Sequence, residues 1–268
     1  MKHKLGFIGG GAMAEAILSG AIAQKVMEAS DIFVSELRAD RCAELEEKYG
    51  VTAATTPDSF LDKVDLVLMA VKPQVADKAM AQLQGKLPKR VVLISIVAGL
   101  AIDSIKAYFP EQKIIRVMPN TPLSVGAGMS VYALGELATV EDAAPVQAIL
   151  AACGKAIEVK ESMLDAVTGL SGSGPAYGFL VIDALSDGGV AAGLPRDAAI
   201  MLAAQTMLGA AKMVLETGKH PDMLRDQVTS PAGTTIAGVR VMEQQGVRGA
   251  LIDAVIAATE RSAQLGKK

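Results

Sequence analysis

Two stretches of this sequence bring together residue types that can do chemistry. In "GFIGGGAMAEAI", residues 6–17, Gly9, Gly11 and Ala14 have the GxGxxA spacing, behind a short apolar run and ahead of a helical one. Gly9 permits a tight turn, Gly11 lets the backbone approach a pyrophosphate, and the small Ala14 lets a helix pack against a strand. The helix start, with Ala12 and Met13 directly after Gly11, offers free N–H groups and a partial positive charge to phosphates. This arrangement predicts a dinucleotide site. The second stretch, "VTSPAGTTIAGV", residues 228–239, sets Ser230, Pro231, Gly233 and the adjacent Thr234 and Thr235 ahead of an apolar stripe beginning at Ile236. Its residue types read equally as a helix cap, with a hydroxyl satisfying orphan amides, and as an anion site at a helix N-terminus.

The side chain that reads the adenosine ribose is expected about 20 residues beyond the glycine turn. That region is "VSELRADR", residues 34–41. Glu36 can accept from a 2′-hydroxyl and repel a 2′-phosphate, which favours NADH. Ser35 with Arg38 or Arg41 can bind that phosphate, which favours NADPH. Both cofactors stay open at this point. Three further loops end predicted strands: Ala70, Val71, Lys72 and Pro73 in "MAVKPQ", Ala98 and Gly99 in "SIVAG", and Asn120 in "RVMPNTP". Ligands of open α/β sheets sit outside the carboxyl ends of the strands, so these loops are expected to line one cofactor crevice. Lys72 reads either as a contact in that crevice or as a solvated lysine.

Composition removes other chemistries. The chain has 268 residues, 51% of them hydrophobic, enough for one large domain or two ordinary ones. Its 26 basic and 29 acidic residues are interspersed, giving a net charge of −3 and no basic run to track a phosphate backbone, so nucleic acid is not an expected partner. The longest apolar run, residues 91–102, is well short of the roughly 20 residues a membrane span needs. No membrane partner is expected, and the lack of a long apolar leader segment points to the cytoplasm. Cys42 and Cys153 read as buried small hydrophobes. His3 and His220 are too few for a histidine-rich metal site, and His220 before Pro221 suits a helix start, so neither a metal nor a Ser/His/Asp triad is expected.

From residue 4 to about 160, short β-branched runs alternate with helical segments, which predicts a parallel sheet covered on both faces. Beyond about Asp165, Ala, Leu, Met and Gly dominate at helical spacing, with breaks expected at Gly188–Gly189, Gly218 and Gly246. The predicted fold class is therefore α/β: an N-terminal Rossmann-type doubly wound sheet over residues 1–162 and an all-α C-terminal domain over residues 163–268. Several helices of that second half are apolar over most of their circumference and must be buried, so it is expected to form a subunit interface.

In order along the chain, "GFIGGGAMA", "AVKP", "MPNTP", "GLSGSGPAY" and "VTSPAGTTIAGV" resemble the Δ1-pyrroline-5-carboxylate reductase family over essentially the whole length. The signature is densest at Pro221, Leu224, Val228, Thr229, Ser230, Gly233, Thr235, Gly238, Val239, Met242 and Glu243. The resemblance implies a CH–NH oxidoreductase that uses NADPH or NADH to reduce the cyclic imine pyrroline carboxylate to L-proline, the last step of proline biosynthesis. It also implies a homodimer joined through the helical domain, with larger assemblies of such dimers common in the family. Glu36 departs from the small polar residue of NADP-selective members.

On this reading the N–H groups around Gly233, Thr234 and Thr235 hold the substrate carboxylate, the Thr235 hydroxyl bonds the ring nitrogen as the catalytic residue, and Gln227 and Ser230 support them. "GLSGSGPAYGF" reads as a capped helix start, with Ser173 at the N-cap, or as a close backbone approach to cofactor or substrate. Two rival readings remain. A β-hydroxyacid dehydrogenase would need a catalytic lysine, for which Lys212 and Lys219 are the candidates. A non-catalytic dinucleotide sensor would need none.

Overall fold

The central strands of the sheet are buried along their whole length because both faces of the sheet are covered there. A computed structural model describes residues 3–266. In it β1 (Leu5–Ile8), β2 (Ile32–Ser35), β3 (Thr52–Ala54), β4 (Leu66–Met69), β5 (Val92–Ser95), β6 (Lys113–Met118), β7 (Gly128–Leu134) and β8 (Gly154–Glu158) form one sheet in the order β3-β2-β1-β4-β5-β6-β7-β8. Alternate side chains of each strand enter different cores. Leu5, Phe7, Leu66, Leu68, Val92 and Ile94 pack on one side against Ile17, Leu18, Leu45 and Ile149. Ile8, Val67, Met69 and Leu93 pack on the other against Met80, Leu83, Ile102 and Ile105. The first set of helical residues belongs to α1 (Ala12–Ala23), α2 (Ala39–Tyr49) and α5 (Val140–Ala151), the second to α3 (Ala76–Leu83) and α4 (Ile102–Tyr108). This is the expected doubly wound sheet.

One part differs from an all-parallel expectation. β7 runs antiparallel to β6, pairing Met118 with Val131. The connection over residues 119–127 holds only a 3₁₀ turn at Thr121–Val125, and a parallel crossover needs a dozen or more residues. β8 then pairs parallel to β7.

The described chain divides into two compact units, Met1–Gly172 with Ala258–Lys268, and Ser173–Ala257. The first unit also contains α6 (Leu164–Val167) and the π-helical turn Thr168–Gly172. The second is helical, with α7 (Gly174–Ala191), α8 (Arg196–Thr217), α9 (Pro221–Gln227), α10 (Thr234–Gln244) and the start of α11 (Val247–Leu265). Gly218, at φ 63°, ends α8 in the left-handed conformation, and Gly246, at φ 72°, follows α10, as expected. Gly188 and Gly189 do not end a helix. α7 continues through them because Gly189 serves packing: a Cβ there would lie 3.1 Å from the Ala199 Cβ of α8 and 3.3 Å from Leu194.

Within this unit α7 buries only Ser186 and α8 only Ala199 and Ala203. Phe179, Leu180, Met201 and Leu215 are 65%, 70%, 71% and 65% exposed. α8, at 22 residues, is long and apolar enough to cross a membrane by length and composition, which the longest uninterrupted apolar run did not reveal. Lys212 lies on it, paired with Glu216. The cysteines match expectation: both are free and buried, and burial raises the Cys153 thiol pKa.

Candidate active site

The strand order reverses direction between β1 and β4, the switch point where open α/β sheets bind ligands. Both expected loops meet there. Gly9 has φ 101°, its N–H donates to the Ser35 carbonyl at 2.8 Å, and a Cβ on it would lie 2.7 Å from the Ala70 carbonyl oxygen. Gly9 is thus the residue that lets the β1 turn pass the β4 end. Beyond it the Gly11 Cβ position meets nothing within 4 Å, so that backbone is open to a ligand. Gly11 is the N-cap of α1, and no side chain caps that helix. The residues present therefore fit a pyrophosphate: a bare backbone edge next to uncapped amides, with Ala12 exposed and Met13 half-buried at the helix start.

The other loops end neighbouring strands. Ala70 and Val71 are half-buried, and the exposed Lys72 and Pro73 begin a 3₁₀ turn. Ala98 is exposed, and Gly99, at φ 74°, lies beside the C-terminal end of α11 near Leu265. Asn120 follows β6, and its side chain is engaged within the protein: it donates to the Ser171 carbonyl at 3.2 Å and hydroxyl at 3.3 Å and accepts from the Met129 N–H at 2.8 Å. The π-helical turn it holds packs closely, since a Cβ on Gly172 would lie 2.6 Å from the Met118 methyl. This clamp by Asn120, a residue expected to border the cofactor, is not legible in the sequence, because the register of a π-helical turn has no sequence signal.

The ribose region is more ordered than expected. Glu36 accepts from the Gly10 N–H at 3.0 Å and from the Arg38 N–H at 3.2 Å. Arg41 donates to the Gly10 carbonyl at 3.0 Å and pairs with Glu15 and, at 2.7 Å, with Glu44. Lys48 and Tyr49 also bond Glu15, at 2.8 and 2.7 Å. This network ties α1 to α2 behind the glycine turn. Lys48, then Tyr49 and Arg41, hold the Glu15 carboxyl down to about 2 from 4.5. A depressed carboxylate pKa contributes stability that is full above the unfolded value and fades as pH falls through the folded one. The stability gap between wild type and Glu15→Gln is therefore expected to be constant above about pH 5 and to close towards about pH 2. Urea melts across that range measure it; a gap independent of pH would contradict the assignment.

In the helical unit residues 228–239 form a loop and the start of α10. Gly233 is its N-cap, with ψ 174°, and no side chain caps the helix. A Cβ on Gly233 would lie 2.3 Å from the Ser230 hydroxyl oxygen and 3.1 Å from its carbonyl oxygen, so the chain folds closely back over Ser230. Ala232 sits at φ 56°, a strained conformation for a non-glycine residue that nothing in its side chain foretells. Thr229 turns inward and donates to the Arg225 carbonyl at 2.7 Å. Thr235 is half-buried, while Gln227, Ser230 and Thr234 are exposed. The hydroxyl cap foreseen as one reading is absent, which leaves the amides of the first turn free of side-chain partners. Ser173 likewise occupies the N-cap position of α7 without capping it. His220 does cap, its Nδ1 accepting from the Asp222 N–H at 3.3 Å. Among the described residues no group of three or more His, Cys, Asp or Glu is placed to hold a metal ion.

A doubly wound sheet with a glycine turn at its switch point defines the dinucleotide-binding class of α/β proteins. Comparison with known proteins narrows it. Residues 4–99 match the family model described as "NADP oxidoreductase coenzyme F420-dependent", and residues 161–265 match "Pyrroline-5-carboxylate reductase dimerisation". A pyrroline-5-carboxylate reductase of Arabidopsis thaliana is 48% identical over 98% of this chain and 96% of its own. Solved structures agree: a pyrroline-5-carboxylate reductase from Coxiella burnetii superposes with a TM-score of 0.94 at 34% identity over 100% of both chains. A pyrroline carboxylate reductase of Plasmodium falciparum with NADP bound gives 0.87 at 31% over 98% of both. The chain belongs to the pyrroline-5-carboxylate reductase family.

Proposed function

We propose that this protein reduces 1-pyrroline-5-carboxylate to L-proline with NADPH or NADH. The observation that carries the reading is the pair of prepared backbone edges, the open Gly11 turn at the switch point and the uncapped start of α10, in a chain of this family. Gly9, Gly11, Ala12 and Met13 hold the pyrophosphate, Ser35 and Glu36 face the ribose, and Ala70 to Pro73, Ala98, Gly99 and Asn120 border the remaining cofactor. Bound there, the dinucleotide supplies a hydride to the C=N carbon. The protein's residues orient the imine and stabilise its charges. The amides of Gly233, Thr234 and Thr235 take the substrate carboxylate without an arginine, aided by the helix dipole. The Thr235 hydroxyl bonds the ring nitrogen, with Ser230 and Gln227 beside it. That nitrogen takes its proton from solvent near neutral pH, so a site without histidine suffices.

Residues 1–162 then act as the cofactor domain and residues 163–268 as the substrate and dimerisation domain. The exposed apolar faces of α7 and α8 meet a second copy of the chain, since monomeric soluble proteins rarely leave such patches uncovered. Nothing favours the hydroxyacid reading at either candidate lysine: Lys212 stands 3.6 Å from Glu216, and Lys212 and Lys219 are both exposed. The test is the absorbance of reduced nicotinamide, expected to fall when pyrroline carboxylate is added to the purified protein. Turnover of 3-hydroxy acids alone would favour the dehydrogenase, and binding without turnover would favour the sensor.

A further inference from the structure

The four polar groups that left the cofactor choice open in the sequence are not equivalent in the structure. Ser35 is 8% exposed, and its carbonyl is committed to the Gly9 N–H. Arg41, with only 11% of its side chain exposed, is committed on three sides, to the Gly10 carbonyl, Glu15 and Glu44. Arg38 is 65% exposed and stands 3.7 Å from Asp40. Glu36 is the one anion among them, fixed against the glycine turn with one carboxylate oxygen on the Gly10 N–H and the other on the Arg38 N–H. A Cβ on Gly10 would lie 3.2 Å from the Glu36 Cβ, so this side chain lies against the turn itself.

We propose that Glu36 is a specificity-determining residue that makes this enzyme prefer NADH to NADPH. The inference rests on the reductase reading above and sets this chain apart from the relative whose structure holds NADP. The pinned carboxylate keeps lone pairs on both oxygens for ribose hydroxyls, which donate to it. A 2′-phosphate instead brings roughly 1.5 to 2 negative charges against an anion that two backbone N–H groups hold in place. The nearest buried cation, Arg41, cannot turn to that phosphate without abandoning the clamp between α1 and α2. At a partly desolvated site this like-charge contact is expected to weaken NADPH binding by about tenfold or more.

The test measures dissociation constants of NADH and NADPH for the purified protein by nicotinamide fluorescence, alongside kcat/KM for each with pyrroline carboxylate. Wild type is expected to bind NADH at least about tenfold more tightly. Glu36→Gln keeps an acceptor for the Gly10 N–H and removes the charge, and Glu36→Ser removes the carboxylate and leaves a short hydroxyl. Both are expected to narrow the ratio by about tenfold, chiefly through tighter NADPH binding. Arg38→Ala is expected to leave the ratio within about twofold. A wild type that binds NADPH as tightly as NADH overturns the proposal. So does a ratio unmoved in both Glu36 variants, a selective loss of NADPH in Arg38→Ala, or failure of both cofactors to bind. Selective NADH binding without turnover of pyrroline carboxylate overturns the reductase reading and leaves the selection by Glu36 standing.

Discussion

Replacing Thr235 with Ala is expected to lower kcat/KM for pyrroline carboxylate by about tenfold to somewhat over a hundredfold, the range that the roughly 1.5–3 kcal/mol of a hydrogen bond to a charged group sets. The structure makes this a clean substitution. Thr235 lies in the first turn of α10, its hydroxyl does not cap the helix, and Gly233 already occupies the N-cap. Alanine is also the best helix former, so the start of α10 survives the change. If the nitrogen contact forms mainly in the transition state, kcat falls with kcat/KM; if it is made equally to bound substrate, KM rises instead. Thr234→Ala, at the exposed neighbouring position, is expected to have the smaller effect, because the role proposed for that residue uses its backbone N–H and not its hydroxyl. Steady-state kinetics of both variants decide this, and wild-type constants for Thr235→Ala would remove that residue from the mechanism.

Leu180→Asp is expected to convert the dimer to monomers. Leu180 is 70% exposed on α7, with Phe179 at 65% beside it, in a helix that buries a single serine within its own unit. Placing a carboxylate in the apolar face leaves it desolvated and unpaired on association, which costs several kcal/mol and raises the dimer dissociation constant by at least about a hundredfold. Glu47→Gln, an exposed change on α2, should leave the assembly untouched. Sedimentation of the three proteins reads the outcome. A wild type that sediments as a monomer, or a Leu180→Asp variant that stays dimeric, would place the interface elsewhere.

The parts of this protein that were legible in its sequence are those where one residue type has one physical use. Gly9 and Gly11 announced the turn because a positive φ and an open backbone edge admit little else, and the strands β1, β4 and β5 announced themselves through burial on both faces. β7 and β8 were hidden: β8 carries Lys155 and Glu158 at the edge of the sheet, which breaks the apolar pattern. Gly188 and Gly189 misled because glycine serves both helix ends and close helix packing, and only the position of Ala199 distinguishes the two. The clamp of Arg41 on Glu15 and Gly10 joins residues far apart in the chain, and Asn120 reaches Ser171 across a still wider gap. Charges and amides do not reveal their partners by spacing alone, so the sequence left the cofactor open and did not show that the Glu36 carboxylate is held against the glycine turn.

The most direct test of the whole account is a product balance. Purified protein, reduced nicotinamide and pyrroline carboxylate are incubated together, and proline is measured against the nicotinamide oxidised. One proline is expected for each reduced nicotinamide consumed, with the rate falling in Thr235→Ala. Oxidation of the cofactor without proline, or no reaction with either NADH or NADPH, would contradict it.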